Sequence, residues 1–247
     1  WGYGAVGNAR WGGTRLAAVL ERAGVKPEAK HVWFETADHA PMPQTPPFTR
    51  SIPLDKAMKD TLLAHTMNRA PLPDLHGAPL RAIVPGWYGM ASAKWVTRIR
   101  VEAAPSDNHF MVKGYRYVAP GGDPLASPPV DEVLVKSVIL SPLHGARVPA
   151  GRLQIRGLAW AGETGVRRVD ISTDTGHTWQ PAGFMGEHPP YAWRQWATEI
   201  DVKPGTSYLV VPRATDGVGR VQPFEADPNT GGYGNNSMHQ VTIYGRA

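Results

Sequence analysis

Apolar residues at Leu16, Val19, Leu20 and Ala23 fall at i, i+3, i+4 and i+7, with Gly24 placed to end the run. The spacing predicts a helix over 15–23, with Thr14 as its cap. Strands are predicted at 30–35 (KHVWFE) and 62–68. Residues 95–102 (WVTRIRVE) alternate apolar with polar, the pattern of a strand with one buried face. Between them, 51–54 form a short element, 55–59 a helical turn, and the Pro-rich 39–49 (HAPMPQTPPFT) a loop. Residues 70–78 lead into a short apolar strand, 80–84, flanked by Gly and Pro on both sides. A stretch dense in Pro and Gly with almost no charge, 118–130 (VAPGGDPLASPPV), reads as a linker. Beyond it the pattern changes to short strands at 133–140, 151–159, 166–173, 179–182, 193–202, 207–215 and 238–244. About seven strands over roughly 115 residues argue for an immunoglobulin-type β-sandwich, with Trp160, Trp179 and Trp196 as its expected core. The fold class is α+β: a mixed α+β domain over 1–130, then a β-sandwich over 131–247.

The 247 residues suffice for two modest domains. A formal charge of +5, from 26 Lys+Arg against 21 Asp+Glu, is mild, and the cations are scattered. A nucleic-acid face needs a basic stripe with interleaved aromatics, and none is present. A few cations focused on an anion fit better. Cysteine is absent, which excludes disulfides, thiolate ligands and Cys nucleophiles within these residues. The nine His include no HxH or HExxH pair, so an all-protein zinc site is not expected. No GxSxG elbow appears, no repeat has a solenoid period, and no segment approaches the ~20 apolar residues of a membrane span. Residue 1 is Trp rather than Met, with no signal peptide, so a processed product or a fragment is expected.

The candidate chemistry centres on residues 76–95. His76, Arg81 and Lys94 surround the short strand, and Gly77, Gly86 and Gly89 allow close approach of backbone to a ligand. Arg offers a fork, Lys a point charge and His a tunable donor, a set suited to an anionic cofactor. The alternative is a set of solvated loop charges. Tyr115, between Lys113 and Arg116, presents a phenol that can donate to an oxyanion or pack as an aromatic. Arg10 and Trp11, among Gly7, Gly12 and Gly13, either line a ligand or lead into the helix. The structural reading is preferred, because the glycine spacing fits neither GxGxxG nor GxxxxGK[ST]. Residues 172–179 (STDTGHTW) form a single Asp-box turn, expected to do turn chemistry only.

The segment HGAPLRAIVPGWYGMASAKWVTRI resembles the cofactor-binding loop of the sulfite oxidase family of molybdopterin enzymes. GAVGNARWGGTRLAAVLERAG is similar to an earlier part of the same domain. RRVDISTDTGHTWQPA and YAWRQWATEIDV are similar to the family's C-terminal immunoglobulin-like dimerisation domain. The resemblance runs over nearly the whole chain in the family's order. It implies a Mo-molybdopterin cofactor contacted by Asp38, His76, Arg81 and Lys94, with Ser92 and Ala93 contributing backbone. It implies that Tyr115 is the tyrosine lining the substrate pocket. Two positions depart from the family's animal members: Gly114 stands where an acidic residue precedes this Tyr, and Gly231 falls near a substrate-binding Arg, so that either another cation, Arg116 or Arg220, does that job or the substrate is different. The family's molybdenum is also held by a Cys upstream of GNARWGG. This Cys-free sequence is therefore expected to hold part of the site, to contribute no metal ligand, and to be inactive alone. The implied activity is oxidation of sulfite to sulfate with electrons passed to a c-type cytochrome, in a periplasmic homodimer joined through the C-terminal domain. Two rivals remain: a sulfane dehydrogenase subunit acting on carrier-bound sulfur, and a non-catalytic dimerising or partner-binding module.

Overall fold

A computed structural model describes residues 5–38 and 45–246. The chain forms two compact units. One comprises residues 9–132 with the late segment 228–233; the other comprises residues 133–227 and those from Gly234 onward, with the segment ending at Asn8.

The first unit carries, in order, β1 (Trp11–Arg15), α1 (Leu16–Ala23), β2 (His31–Thr36), β3 (Thr49–Pro53), α2 (Leu54–Lys59), β4 (Leu62–Met67), β5 (Ala70–Pro71), β6 (Arg81–Ile83), β7 (Val96–Glu102) and α3 (His109–Val112). In one sheet β1, β5 and β6 all pair with β4; in the other the order is β3-β2-β7. Leu16 and Leu20 of α1 bury against Val32, Phe34, Ile52, Leu63 and Ala82, whereas Val19 and Ala23, the other two residues of the predicted stripe, are exposed. Gly24 ends α1 at φ +78°, its N–H donating to the Leu20 and Glu21 carbonyls. Thr14 is not a cap. It lies in β1 opposite Leu63 of β4, and α1 begins without a side-chain cap. The last three residues of GNARWGG therefore open a strand: a Cβ on Gly13 would overlap the Leu63 carbonyl, so glycine lets β1 close onto β4 at a register irregularity.

Residues 118–130 are hydrogen-bonded into this unit. Tyr117 N–H donates to Pro128 O and Val130 N–H to Tyr115 O, while Thr230 N–H reaches Val118 O from the late segment. Val130 is buried.

The second unit carries β8 (Lys136–Ser141), β9 (Arg147–Val148), β10 (Gly151–Trp160), β11 (Val166–Ser172), β12 (Gln180–Pro181), β13 (Gly183–Met185), β14 (Arg194–Val202), β15 (Ser207–Asp216) and β16 (Val241–Gly245). Two sheets, ordered β13-β14-β10-β8 and β12-β11-β15-β16-β9, make a β-sandwich. Its core gathers Ile155, Val169, Ile171, Trp196, Val210 and Ile243. Of the three tryptophans expected there, only Trp196 is fully buried, its Nε1 donating to Ser137 Oγ at 2.9 Å. Trp160 and Trp179 are half-buried; the Arg213 guanidinium covers Trp179 at 3.8 Å. The Asp-box turn joins β11 to β12. The Asp174 carboxylate accepts from Thr178 N–H and Oγ1 and from Ser172 Oγ, which holds its pKa well below the usual carboxylate range. No helix among the described residues is long and apolar enough to cross a membrane.

Candidate functional site

Most of the predicted binding residues converge on one loop system. A 3-10 turn, Asp74–His76, ends in Gly77 at φ +104°, where a Cβ would lie 2.9 Å from that of Lys94. Only glycine combines this conformation with this approach. Arg81, at the head of β6, spans the gap: Nη1 donates to His76 O at 2.9 Å and Nη2 to Ser92 O at 3.0 Å. Nε reaches Ala82 O at 3.4 Å. Ala82 N–H donates to Ala93 O, and Ser92 Oγ accepts from Val84 N–H at 3.0 Å. Lys94 Nζ donates to Leu75 O at 3.1 Å and stands 4.0 Å from the Trp95 ring, whose Nε1 donates to Asp74 O. Trp95 itself has φ +48°, an uncommon conformation for a bulky residue. Asp38 follows Ala37, whose N–H donates to Trp95 O at 2.9 Å. His76, Arg81, Ser92, Ala93 and Lys94 thus share one tied loop, and the Asp38 backbone runs beside it.

Among the described residues no carboxylate pairs with Arg81 or Lys94. Both are held by neutral carbonyls, and burial lowers the pKa of Arg81. The guanidinium and ammonium retain further N–H donors, and Ser92 retains its O–H. A rigid, cation-rich surface whose backbone can be approached at Gly77 fits a phosphate-bearing pterin. Trp11 proves part of this region: its ring lies 4.8 Å from the Arg81 guanidinium. Reading it as a lead-in to the helix missed that contact, because the sequence gives no sign that β1 and β6 pair with the same strand, β4.

Tyr115 belongs to a separate aromatic group. Its ring lies 5.4 Å from Tyr233 and 6.3 Å from Phe110, and its φ is +52°. Burial first, then Tyr233, raises the phenol pKa, while Arg50 pulls it down. Tyr233 explains the glycine at 231: a Cβ there would overlap the Tyr233 ring, so an Arg at this position is incompatible with the observed stack. Neither proposed substitute faces Tyr115. Arg116 donates to the Ser127 and Met111 carbonyls, and Arg220 is ion-paired with Asp216 in the other unit.

The residue that sequence reasoning missed is Arg50. It is 1 % exposed, with Nη1 donating to Phe110 O at 3.0 Å and Nη2 to Val130 O at 2.9 Å. Its guanidinium is 5.9 Å from the Tyr115 ring, and burial lowers its pKa to about 10. A signal was present. Arg50 and Ile52 are in phase on β3, opposite Phe34 and Val32 of β2, so a cation occupies a core-facing position. Starting the element at residue 51 hid it.

The two units match known models in the same order. The oxidoreductase molybdopterin binding domain matches residues 1–110, and the Mo-co oxidoreductase dimerisation domain matches residues 127–246. The fold and the loop system are thus those of a molybdopterin oxidoreductase. Sulfite oxidase of Arabidopsis thaliana is 35% identical over 98% of this chain and 69% of its own length. Human mitochondrial sulfite oxidase is 38% identical over 99% of this chain and 48% of its own. Among solved structures, the sulfane dehydrogenase SoxCD of Paracoccus pantotrophus superposes with a TM-score of 0.82 at 33% identity, covering 93% of this chain and 59% of that one. The chain belongs to the sulfite oxidase family. It spans about half the length of several curated relatives that it matches.

Proposed function

We propose that this chain forms the pterin-holding and dimerising part of a molybdenum-dependent enzyme that oxidises sulfite to sulfate and passes electrons to a c-type cytochrome. The observation that carries this reading is the Arg81–Lys94 loop, where cations are fixed by neutral carbonyls and have no carboxylate partner among the described residues. Arg81, Lys94 and His76 would hold the anionic and polar edge of molybdopterin, Ser92 and Ala93 would flank it through backbone, and Asp38 would accept from pterin N–H groups. When bound, the cofactor supplies two-electron redox chemistry at molybdenum. Tyr115 would orient the substrate. Its raised pKa keeps Oη protonated at neutral pH, so it donates to an oxyanion rather than acting as a base. The second unit would join two copies of the chain, and the periplasm is the proposed location.

The test is the molybdenum-to-protein ratio taken with intact mass, followed by sulfite-dependent reduction of cytochrome c. Near-stoichiometric metal with sulfite-dependent reduction supports the reading. Metal-free material with a mass matching these 247 residues leaves the non-catalytic, dimerising role. A second reading, sulfane dehydrogenation of carrier-bound sulfur, is favoured by Gly231 and by the likeness to sulfane dehydrogenase. Turnover of a carrier-bound persulfide, without turnover of free sulfite, would select it.

A further inference from the structure

Arg50 is a buried cation with an incomplete set of partners. Two of its nitrogens are engaged by backbone carbonyls, while Nε, also buried, has no hydrogen-bond partner. Among the described residues no carboxylate forms an ion pair with it; Asp131 acts on it only through space. A buried guanidinium without a counter-ion is costly to retain. A clamp on two carbonyls alone does not require a permanent charge.

What the clamp holds is specific. Val130 accepts from Arg50 Nη2 and donates its own N–H to Tyr115 O at 2.8 Å. Phe110, whose carbonyl takes Nη1, lies in α3, and its ring contacts Tyr115. Next along the chain, Asp131 O accepts from Tyr88 N–H at 2.8 Å, immediately before the 3-10 turn Gly89–Ala91 that leads to Ser92. β3 contacts both that turn and α3. Arg50 thus sits where the backbone of the Tyr115 turn is tied to the segment that enters the cation-lined cradle of Arg81, Ser92 and Lys94. Tyr115 adopts a left-handed φ that a non-glycine residue keeps only when its surroundings over-determine it.

We propose that Arg50 is the positioning residue of Tyr115: it locks the Tyr115 turn through Val130 and Phe110, and directs a buried positive charge at the phenol from behind. The hydroxyl then meets an oxyanion in a positive field, although Arg50 itself touches no substrate. This rests on the reading of Tyr115 as the anion-facing phenol. It accounts for an anion pocket that has glycine at 231 and has Arg116 and Arg220 engaged elsewhere.

The test uses the full chain with 13Cζ-labelled tyrosine, the Tyr115 resonance being assigned with Tyr115→Phe. In Arg50→Met the Tyr115 resonance should shift at pH 7, where Arg50 is charged in the wild type, because the cation beside the ring is gone; Arg50→Lys, which returns a positive charge at that pH, should restore most of it. In Arg50→Lys one carbonyl bond of the fork is lost, and the Val130 amide should exchange at least tenfold faster. An unmoved Tyr115 resonance in Arg50→Met, or no restoration by Arg50→Lys, overturns the proposal. If that variant does not fold, unchanged Val130 exchange in Arg50→Lys overturns it instead. Sulfite added to the wild type separates the two readings: a Tyr115 resonance that ignores sulfite sinks the oxyanion role and leaves the Arg50 clamp standing.

Discussion

The two units treat charge differently. In the sandwich, Arg168 meets Asp170 at 2.8 Å, and the buried Asp216 is closed by Arg220. Some sites in the first unit follow the same rule: Arg100 meets Glu102 at 2.6 Å and Glu35 at 3.2 Å, and Lys56, 4 % exposed, pairs with Asp60 at 2.9 Å and also donates to Pro85 O. Arg50, Arg81 and Lys94 break it, being anchored on carbonyls alone. A neutralised pair has its electrostatics satisfied internally and serves the fold. A cation fixed in place by neutral groups keeps its field for something else. The difference between the units is one of placement: the sandwich also holds Lys136 and Arg194 on carbonyls, whereas the first unit brings Arg81 and Lys94 together on one loop system.

The comparison can be broken most severely in the sandwich. Trp196→Ala removes the one fully buried tryptophan among its described residues and the bond to Ser137, and should cost about 3–5 kcal/mol in denaturant unfolding. In the first unit, Gly77→Ala should cost about 1–3 kcal/mol through a strained φ and the collision with Lys94. Gly89→Ala, with no neighbour within 4 Å of its Cβ, should stay within ~0.5 kcal/mol. If both glycine variants melt alike, close packing at Gly77 is not what shapes the cradle. Arg81→Ala should lower pterin retention tenfold or more while reducing stability by only about 1 kcal/mol; equal losses in both would make Arg81 a structural residue like Lys56.

A further effect is a pH dependence seated in the sandwich. His239 Nδ1 accepts from Ile139 N–H at 3.0 Å, and burial, with Lys136 and His144, lowers its pKa from 6.5 to about 4. The unfolded chain therefore takes up the proton first. Stability is fully present above pH 6.5 and is lost as pH falls toward 4, by roughly 1–2 kcal/mol after allowance for partial exposure. Urea midpoints across that window should fall for the wild type and flatten in His239→Gln, whose amide oxygen can still accept.

Local pattern carried much of this in advance. The α1 stripe, the alternation of β7 and the long strands of the sandwich all follow from periodicity, because each buries one face against its neighbours. The short pieces β9 and β13 were invisible, since two or three residues hold no period. β1 was missed because its glycines serve a close approach to β4, and nothing near them in sequence marks that partner. The cradle's cations were legible as residue types, whereas their satisfaction by carbonyls was not: hydrogen bonds from Arg81 to His76 and Ser92 depend on loop closure. Arg50 was overlooked at an element boundary, and the Tyr233 wall lies more than a hundred residues from Tyr115.

That wall has a consequence for synthesis. The first unit is interrupted, because residues 228–233 return to it after nearly the whole second unit has been made. On a ribosome, α1 and both of the unit's sheets can assemble once residue 132 has emerged, but the ring that stacks on Tyr115 is still to come. The aromatic group around Tyr115 is therefore the last part of the first unit to be finished, and a nascent chain cut anywhere between residues 133 and 227 keeps the cradle's strands and lacks Tyr233.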